Sequence, residues 1–149
     1  MLIEKKYRAE CELFNKHLSE NGIRKSAQRY SIMEVFLDAK HHITVAELLE
    51  LVKEKHPQIG TATVYRTIKL FCEAGIAQEV DIGDGVLRYE HKYGHAHHDH
   101  LICNECGKFI EAQDEHIEKL QQQLAERHGF TPQSHRLQIF GICNECHNT

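Results

Sequence analysis

Four of the six cysteines form two C-x-x-C pairs, and these pairs are the clearest chemical feature of the sequence. The first pair is Cys103 and Cys106, the second is Cys143 and Cys146, and both enclose the dipeptide Asn-Glu. A tight turn of this spacing brings two thiolates to one ion, and two such turns supply the four soft ligands of a closed tetrahedral zinc site. The spacing therefore predicts a structural Zn²⁺ site.

Histidines and acidic residues surround the first cysteine pair in the segment HHDHLICNECGKFIE. The stretch from His97 to Ile102 is typical of a β-strand, in which successive side chains point to opposite faces. His98 and His100 would then share one face, and His97 and Asp99 would share the other. This alternation favours two further metal sites over one. Imidazole and carboxylate ligands suit divalent ions that exchange more readily than thiolate-bound zinc.

At 149 residues, with 41% apolar and 27% charged residues, the chain has the composition of an ordinary globular protein of one or two domains. No apolar run approaches the roughly 18 residues of a membrane-spanning helix. The opening residues MLIEKKYRAECELF lack the apolar core of a signal peptide. We therefore expect a cytoplasmic protein without membrane contact, and a reducing compartment favours metal binding over disulfides for the paired cysteines.

The net charge of −4 arises entirely in the second half of the chain. Residues 1–96 contain 14 Lys or Arg and 14 Asp or Glu, whereas residues 97–149 contain 4 and 8. A basic surface for an anionic partner is therefore expected in the first half, where the two signs balance overall and cations can still cluster locally.

The first half predicts a series of helices followed by a β-hairpin. Apolar residues recur at helical spacing within residues 4–18, and a second helix follows that Ser26 could cap. A third begins with a capping box at residues 44–47, and a fourth covers Thr61 to Ala74. Residues 76–90 alternate around Gly-Asp-Gly as a hairpin does. This order is that of a winged helix-turn-helix, whose last helix enters the major groove of DNA.

The fourth helix divides into two faces at 100° per residue. Three apolar residues, Val64, Ile68 and Phe71, share the inward face. The opposite arc carries an aromatic residue and two cations, a set that can stack on bases and donate to guanine, although many basic helix faces are simply solvated. Cations near the start of an earlier helix would suit phosphate groups. The predicted DNA contacts are Arg24, Lys25, Arg29, Tyr65, Arg66 and Lys69.

The second half predicts a small α/β unit. Strands are expected at His97–Ile102, 108–111 and 136–142, with a helix over 114–128 whose apolar residues Ile117, Leu120 and Leu124 would face inward. The fold class is therefore α+β: a winged-helix DNA-binding domain over 1–91, a hinge over 92–96, and a dimerisation and metal-binding domain over 97–149. Such a small unit would draw support from zinc and from a partner subunit.

The motifs TATVYRTI, HHDHLICNECGKFIE, SHRLQIFG and CNEC together resemble the ferric uptake regulator family, and the resemblance covers residues 20–146. It implies a dimeric, metal-dependent DNA-binding repressor. The four paired cysteines would be its structural zinc site. Its regulatory metal site would comprise His42, Glu90, His98, His100 and Glu111. An additional metal site would comprise His97, Asp99, Glu118 and His135.

The resemblance also implies a function. A homodimer would bind a pseudo-palindromic operator in double-stranded DNA when loaded with Fe²⁺, with Mn²⁺, Co²⁺ or Zn²⁺ as substitutes, and would repress iron-uptake genes; assembly into a tetramer is left open. Both acids of the regulatory set, Glu90 and Glu111, are glutamates, whereas peroxide-sensing members tend to carry aspartates. This favours iron sensing over peroxide sensing, and a zinc-uptake regulator is the other alternative within the family.

Three readings from other classes are weaker. Clusters of His and carboxylates also serve metalloenzymes, but no catalytic motif accompanies them, so no enzymatic activity is expected. The sequence Cys-x-x-Cys-His at residues 143–147 matches a c-type haem attachment site, which would require export. Oxidation of the zinc-bound thiolates could add a redox response to repression.

Overall fold

The computed structural model describes residues 2–39, 42–92 and 99–148. It divides into two compact units, Met1–His95 and Ala96–Thr149. Each unit combines helices with a three-stranded sheet, so the predicted α+β class is confirmed. Residues 93–96 of the predicted hinge lie outside the described residues. Within the described part of the chain, no helix is long and apolar enough to cross a membrane.

The first unit contains five helices and three strands among its described residues. In chain order they are α1 (Leu2–Lys6), α2 (Arg8–Glu20), α3 (Ala27–Asp38), β1 (Ile43–Thr44), α4 (Val45–Lys55), α5 (Thr61–Glu73), β2 (Ala77–Asp81) and β3 (Leu87–His91). The strands form an antiparallel sheet in the order β1-β3-β2. Helices followed by this hairpin make the predicted winged helix-turn-helix.

The core of the first unit is built around three phenylalanines from three helices. Phe71 of α5 meets Phe14 of α2 edge-on, with 5.2 Å between ring centroids, and stacks on Phe36 of α3 at 5.8 Å. All three are almost completely buried. Since Phe71 lies on the inward face of α5 together with Val64 and Ile68, this packing fixes which face of α5 remains exposed.

Of the two predicted helix caps in the first unit, the one at α4 forms and the one at α3 does not. Thr44 Oγ1 accepts a hydrogen bond from the backbone N–H of Glu47 at 3.1 Å, as the capping box predicted for α4. Ser26 precedes α3 in an extended conformation, but its side chain makes no capping hydrogen bond, so that predicted cap is wrong. Its carbonyl instead accepts the backbone N–H of Arg29, which holds the first turn through the main chain alone.

The N-terminal segment forms two helices where the sequence predicts one. The break falls at Tyr7, between α1 and α2. It lets Ile3 turn into the core of the first unit, while the Tyr7 hydroxyl donates to Asp38 Oδ1 at 2.5 Å and Lys6 Nζ contacts the same oxygen at 2.6 Å. The N-terminal extension, residues 2–7, therefore packs on the end of α3. Helical periodicity cannot predict this packing, because Asp38 is distant from Lys6 and Tyr7 in the sequence.

The hairpin of β2 and β3 has the predicted position. Gly83 and Gly85 both have positive φ values, near +80°, which glycine adopts without steric cost. Asp81 Oδ1 accepts the N–H of Gly83 at 2.8 Å, and Arg88 pairs with Asp84 at 2.9 Å. These contacts hold the turn and thereby set the register, in which Gln78 lies opposite Glu90.

The second unit is a three-stranded sheet with two helices among its described residues. They are β4 (Asp99–Cys103), β5 (Phe109–Ala112), α6 (Glu115–Arg127), β6 (Gln138–Gly141) and α7 (Asn144–His147). Strand β4 is central, antiparallel to β5 and parallel to β6. Asp114 caps α6 by accepting the N–H groups of His116 and Ile117.

Of the three residues predicted to face inward from α6, Ile117 is half-buried, whereas the prediction is wrong for Leu120 and Leu124 in the single chain. No residue of α6 is buried, and Leu120 and Leu124 are 62% and 53% exposed. The apolar spacing of the helix is real, but the three short strands of this unit do not cover it. An apolar stripe identifies a face that prefers burial and does not specify what buries it.

We predict that Asp38→Asn lowers the free energy of unfolding by about 1 kcal/mol at pH 7, because it removes an ionic acceptor from Tyr7 and Lys6. Burial alone would raise the pKa of Asp38, but the hydrogen bonds from Lys6 and Tyr7 bring it below the ordinary 3.8. A carboxylate with a lowered pKa stabilises the folded state above its unfolded pKa and ceases to do so as the pH falls through its folded pKa.

Urea unfolding at a series of pH values measures this effect. The difference between native protein and Asp38→Asn should be full at pH 7 and shrink as the pH falls below the ordinary pKa of 3.8. Glu50→Gln, at an exposed position on α4, serves as the control. A difference that stays constant down to the lowest pH would show that the Asp38 charge does not stabilise the packing of the extension.

Candidate metal centres and basic helix

The four paired cysteines come together at one edge of the second unit. Cys103 ends β4, Cys106 follows in a turn, Cys143 precedes α7 and Cys146 lies within it. Their sulfur atoms all lie within 4.8 Å of one another, and those of Cys106 and Cys143 are 3.7 Å apart. Four sulfurs around zinc at about 2.3 Å would be separated by about 3.8 Å. The donor set and its spacing thus fit a tetrahedral zinc ion.

Parallel pairing of β4 and β6 creates this cluster. Cys103 lies beside Gly141 in the register, and the backbone N–H of Asn104 donates to the Gly141 carbonyl at 2.8 Å. Each C-x-x-C turn begins where its strand ends, so adjacent strands present adjacent turns. Lys108 Nζ also contacts Glu145 at 3.2 Å and links the two turns across the cluster.

The electrostatics of the cluster favour a cation. Backbone N–H groups of Cys106 and Cys143 lower the pKa of the Cys103 thiol to about 6, so this sulfur ionises readily. Hydrogen bonds with the thiols of Cys143 and Cys106 raise the pKa of Cys146 to about 12. Four neighbouring sulfurs therefore cannot all become thiolates by themselves, whereas a divalent ion would stabilise all four in that form.

A second cluster joins three elements of the same unit. Asp99 of β4, Glu118 of α6 and His135 of the segment before β6 each offer one ligand atom within 4.8 Å of the others. His135 Nε2 is 3.2 Å from Glu118 Oε1 and 3.9 Å from Asp99 Oδ1. These are three of the four residues predicted for the additional metal site. The fourth, His97, lies outside the described residues.

The residues predicted for the regulatory site are divided between the two units. In the second unit, His100 and Glu111 are opposite each other on β4 and β5. His100 is buried, with its ring 4.6 Å from that of Phe109. His98 lies outside the described residues. An imidazole and a carboxylate on neighbouring strands are a suitable pair of ligands for a divalent metal.

In the first unit, the predicted ligands Glu90 and His42 lie near the same end of the sheet. Ile43 pairs with Tyr89 in an antiparallel register, and His42 and Glu90 are the next positions on the same side of that pair. Glu90 is only 4% exposed, and Gln78 Nε2 donates to its Oε1. Gln78 is not among the residues predicted from the sequence, although counting the register outward from the Gly-Asp-Gly turn places it opposite Glu90.

The exposed face of α5 is the predicted one. Tyr65 is 52% exposed, and Arg66 and Lys69 are exposed beside it, while Val64, Ile68 and Phe71 are buried. Among the cations before α3, Arg24 and Lys25 are exposed. Arg29 is half-buried and donates to the Arg24 carbonyl at 2.7 Å, so part of its guanidinium is engaged within the protein.

A winged-helix unit followed along the chain by a unit with thiol and His/carboxylate clusters is typical of a metal-responsive transcriptional regulator. The sequence model of the ferric uptake regulator family matches residues 20–140, and the chain belongs to that family.

The relatives cover nearly the whole chain. The chain is 36% identical to the ferric uptake regulation protein of Campylobacter jejuni over an alignment of 151 positions, which covers 99% of this chain and 96% of the relative. It is also 33% identical to the peroxide operon regulator of Bacillus subtilis, covering 87% of this chain and 88% of the relative. The structure of the Helicobacter pylori ferric uptake regulator, described as having three functional metal-binding sites, matches with a TM-score of 0.83 at 26% identity, covering 95% and 94% of the two chains.

We predict that Cys106→Ser abolishes zinc binding at the cysteine cluster and lowers the melting temperature by about 10 °C or more. At a free zinc concentration of about 100 times the Kd, binding adds about 2.7 kcal/mol to the free energy of unfolding, and the variant loses this contribution. Each kcal/mol shifts the melting temperature of a small domain by about 4–8 °C. Zinc content after dialysis and thermal unfolding monitored by circular dichroism would measure both effects.

Cys72→Ser is the matched control, because Cys72 lies on α5 of the first unit, outside the cluster. It should retain one zinc ion per chain. A Cys106→Ser protein with full zinc content and native thermal stability would contradict the assignment of the cluster as a structural site.

Proposed function

We propose that this chain is an iron-responsive transcriptional repressor that acts in the cytoplasm and has no enzymatic activity. The observation that carries the proposal is the contrast between its donor sets. Four thiols form one cluster, while His100 with Glu111, and Asp99 with Glu118 and His135, offer only imidazole and carboxylate. Thiolates hold zinc in a closed structural site, whereas nitrogen and oxygen ligands suit Fe²⁺, Mn²⁺ or Co²⁺ in exchangeable sites.

The regulatory ion is proposed to be bound by residues of both units: His42 and Glu90 from the first, and His98, His100 and Glu111 from the second. When bound, the ion would compensate the carboxylate charges and link the two units. The protein residues then determine the response, because metal shifts the population toward a DNA-binding arrangement only as far as these ligands bind it better in that arrangement. Glutamate at both acidic positions, Glu90 and Glu111, supports iron over peroxide as the signal.

Double-stranded DNA is proposed as the partner of the α5 face. Tyr65 can stack on a base or a thymine methyl group, and Arg66 can donate a bidentate pair to guanine. Lys69, Arg24 and Lys25 are exposed cations suited to phosphate contacts, and Arg29 would contribute with the part of its guanidinium not bound to Arg24.

A second copy of the chain is proposed to cover the second unit. Its exposed large apolar residues are Ile110, Leu120, Leu124, Phe130, Ile139, Phe140 and Ile142. Strand β6 is also an edge strand of its sheet, with backbone groups available for pairing. A two-fold homodimer would present two α5 helices to the half-sites of a pseudo-palindromic operator, and pairs of dimers could form a tetramer on longer operators.

We predict that His100→Ala weakens the metal dependence of operator binding, so that little binding remains at metal concentrations that saturate the native protein. In the native protein, Mn²⁺ or Co²⁺, as surrogates for Fe²⁺, should produce tight, salt-sensitive binding in fluorescence anisotropy. The variant should need at least about tenfold more metal for half-maximal binding, because the site loses an imidazole ligand. His128→Ala, at an exposed position after α6, is the control.

Three outcomes would redirect the proposal. A response to Zn²⁺ alone, at very low free concentration, would assign the chain to the zinc-uptake type. Loss of DNA binding after peroxide treatment of the iron-loaded protein would assign it to the peroxide-sensing type. Equal DNA binding with and without metal, in both native protein and variant, would refute metal sensing while leaving DNA binding intact.

We also predict that Arg66→Ala and Lys69→Ala weaken DNA binding in different ways. Arg66→Ala should cost about 1–3 kcal/mol and relax base preference, whereas Lys69→Ala should weaken binding to all sequences and reduce the salt slope by about 1. Titrations of operator and scrambled DNA at several salt concentrations distinguish these effects, with Lys119→Ala in the second unit as control. Identical behaviour of both variants and the control would exclude the α5 face as the DNA-binding surface.

A further inference from the structure

The buried carboxylate of Glu90 is held by a neutral partner on the adjacent strand. Gln78 of β2 and Glu90 of β3 are opposite each other in the antiparallel register, so their side chains lie on the same face of the sheet. The Gln78 amide Nε2 donates to Glu90 Oε1. Since Glu90 is 4% exposed, this hydrogen bond replaces solvation that the carboxylate has lost.

The backbone of this end of β3 is fixed by other contacts. β3 is the central strand, paired with β1 on one side and β2 on the other. The next residue, His91, contacts Glu10 of α2, with 3.0 Å between Nε2 and Oε1. Because strand pairing and this contact hold the main chain, the remaining freedom at Glu90 is rotation of its side chain. Gln78 restricts that rotation.

We propose that Gln78 is a positioning residue for the regulatory metal site: its amide orients the Glu90 carboxylate and thereby sets the affinity of the site for divalent metal. The inference rests on the proposed function, in which Glu90 is a ligand. An amide suits this role because it donates a hydrogen bond without adding a positive charge that would repel the ion. Hydrogen-bond partners of this kind typically change metal affinity by about 10–100-fold.

Titration with Co²⁺ tests the proposal, using full-length protein that retains its zinc. Ligand-field absorption reports both the affinity and the coordination of Co²⁺. Gln78→Met keeps the length of the side chain and removes the donor, and should weaken Co²⁺ binding by about 10–100-fold with a changed visible spectrum. Gln78→Asn keeps the amide but shortens its reach, and should give an intermediate loss. It decides the question if Gln78→Met does not fold.

Gln122→Met is the matched control, because Gln122 also donates to a glutamate, Glu126 Oε1, at 2.8 Å, on the exposed surface of α6. It loses an equivalent hydrogen bond and should bind Co²⁺ as the native protein does. The melting temperature without Co²⁺ separates a loss of stability from a loss of positioning, since only positioning alters the Co²⁺ spectrum.

Glu90→Ala separates failure of this inference from failure of the proposed function. If Glu90→Ala weakens Co²⁺ binding while the folded Gln78 variants match the native affinity and spectrum, the positioning role of Gln78 is refuted and the proposed site stands. If Glu90→Ala also leaves Co²⁺ binding unchanged, Glu90 is not a ligand, and both the inference and that part of the regulatory site are refuted.

Discussion

The second half of this protein depends on four clustered thiols that ionise together only when a cation stabilises their thiolates. Among its described residues, the second unit buries only Asp99, His100, Ile102 and Cys103, all on one strand. That is too little apolar surface to offset the conformational entropy of ordering about fifty residues. A zinc ion that neutralises the thiolates would join both ends of the unit, and the exposed apolar residues of α6 and β6 would gain further burial against a second copy of the chain.

The first unit has the opposite balance. Its helices share a continuous apolar core around Phe14, Phe36 and Phe71, so packing within this unit determines which face of α5 is exposed. The first unit has a large core and carries the proposed DNA contacts. The second unit has few buried residues and carries most of the proposed ligands, as expected of a regulator that responds to metal binding. The ligand set of the second unit would then determine when the first unit binds DNA.

The two proposed ligands in the first unit link these roles. Glu90 lies at the end of the hairpin, held by Gln78, and His42 lies beside the first strand of the same sheet. Glu90 belongs to the sheet that forms the wing and His42 precedes its first strand, so an ion bound by both would act on the strand that leads out of the first unit. The register of the hairpin places Gln78 opposite Glu90, and the hydrogen bond between them would orient a proposed metal ligand.

Local patterns in the sequence determined the elements and the types of ligand. The two faces of α5, the Thr44 cap, the hairpin turn and the C-x-x-C spacing each depend on residues close in sequence, where helix and strand periods are reliable. The tertiary structure alone decided the long-range features. It split the N-terminal helix at Tyr7, left Leu120 and Leu124 of α6 exposed, and placed Gln78 on Glu90. It also brought Glu118 and His135 to Asp99, a set that the family resemblance had implied and that no spacing in the sequence predicted. These features depend on which distant surfaces pack together and how much area each contact buries, and no local period encodes that information.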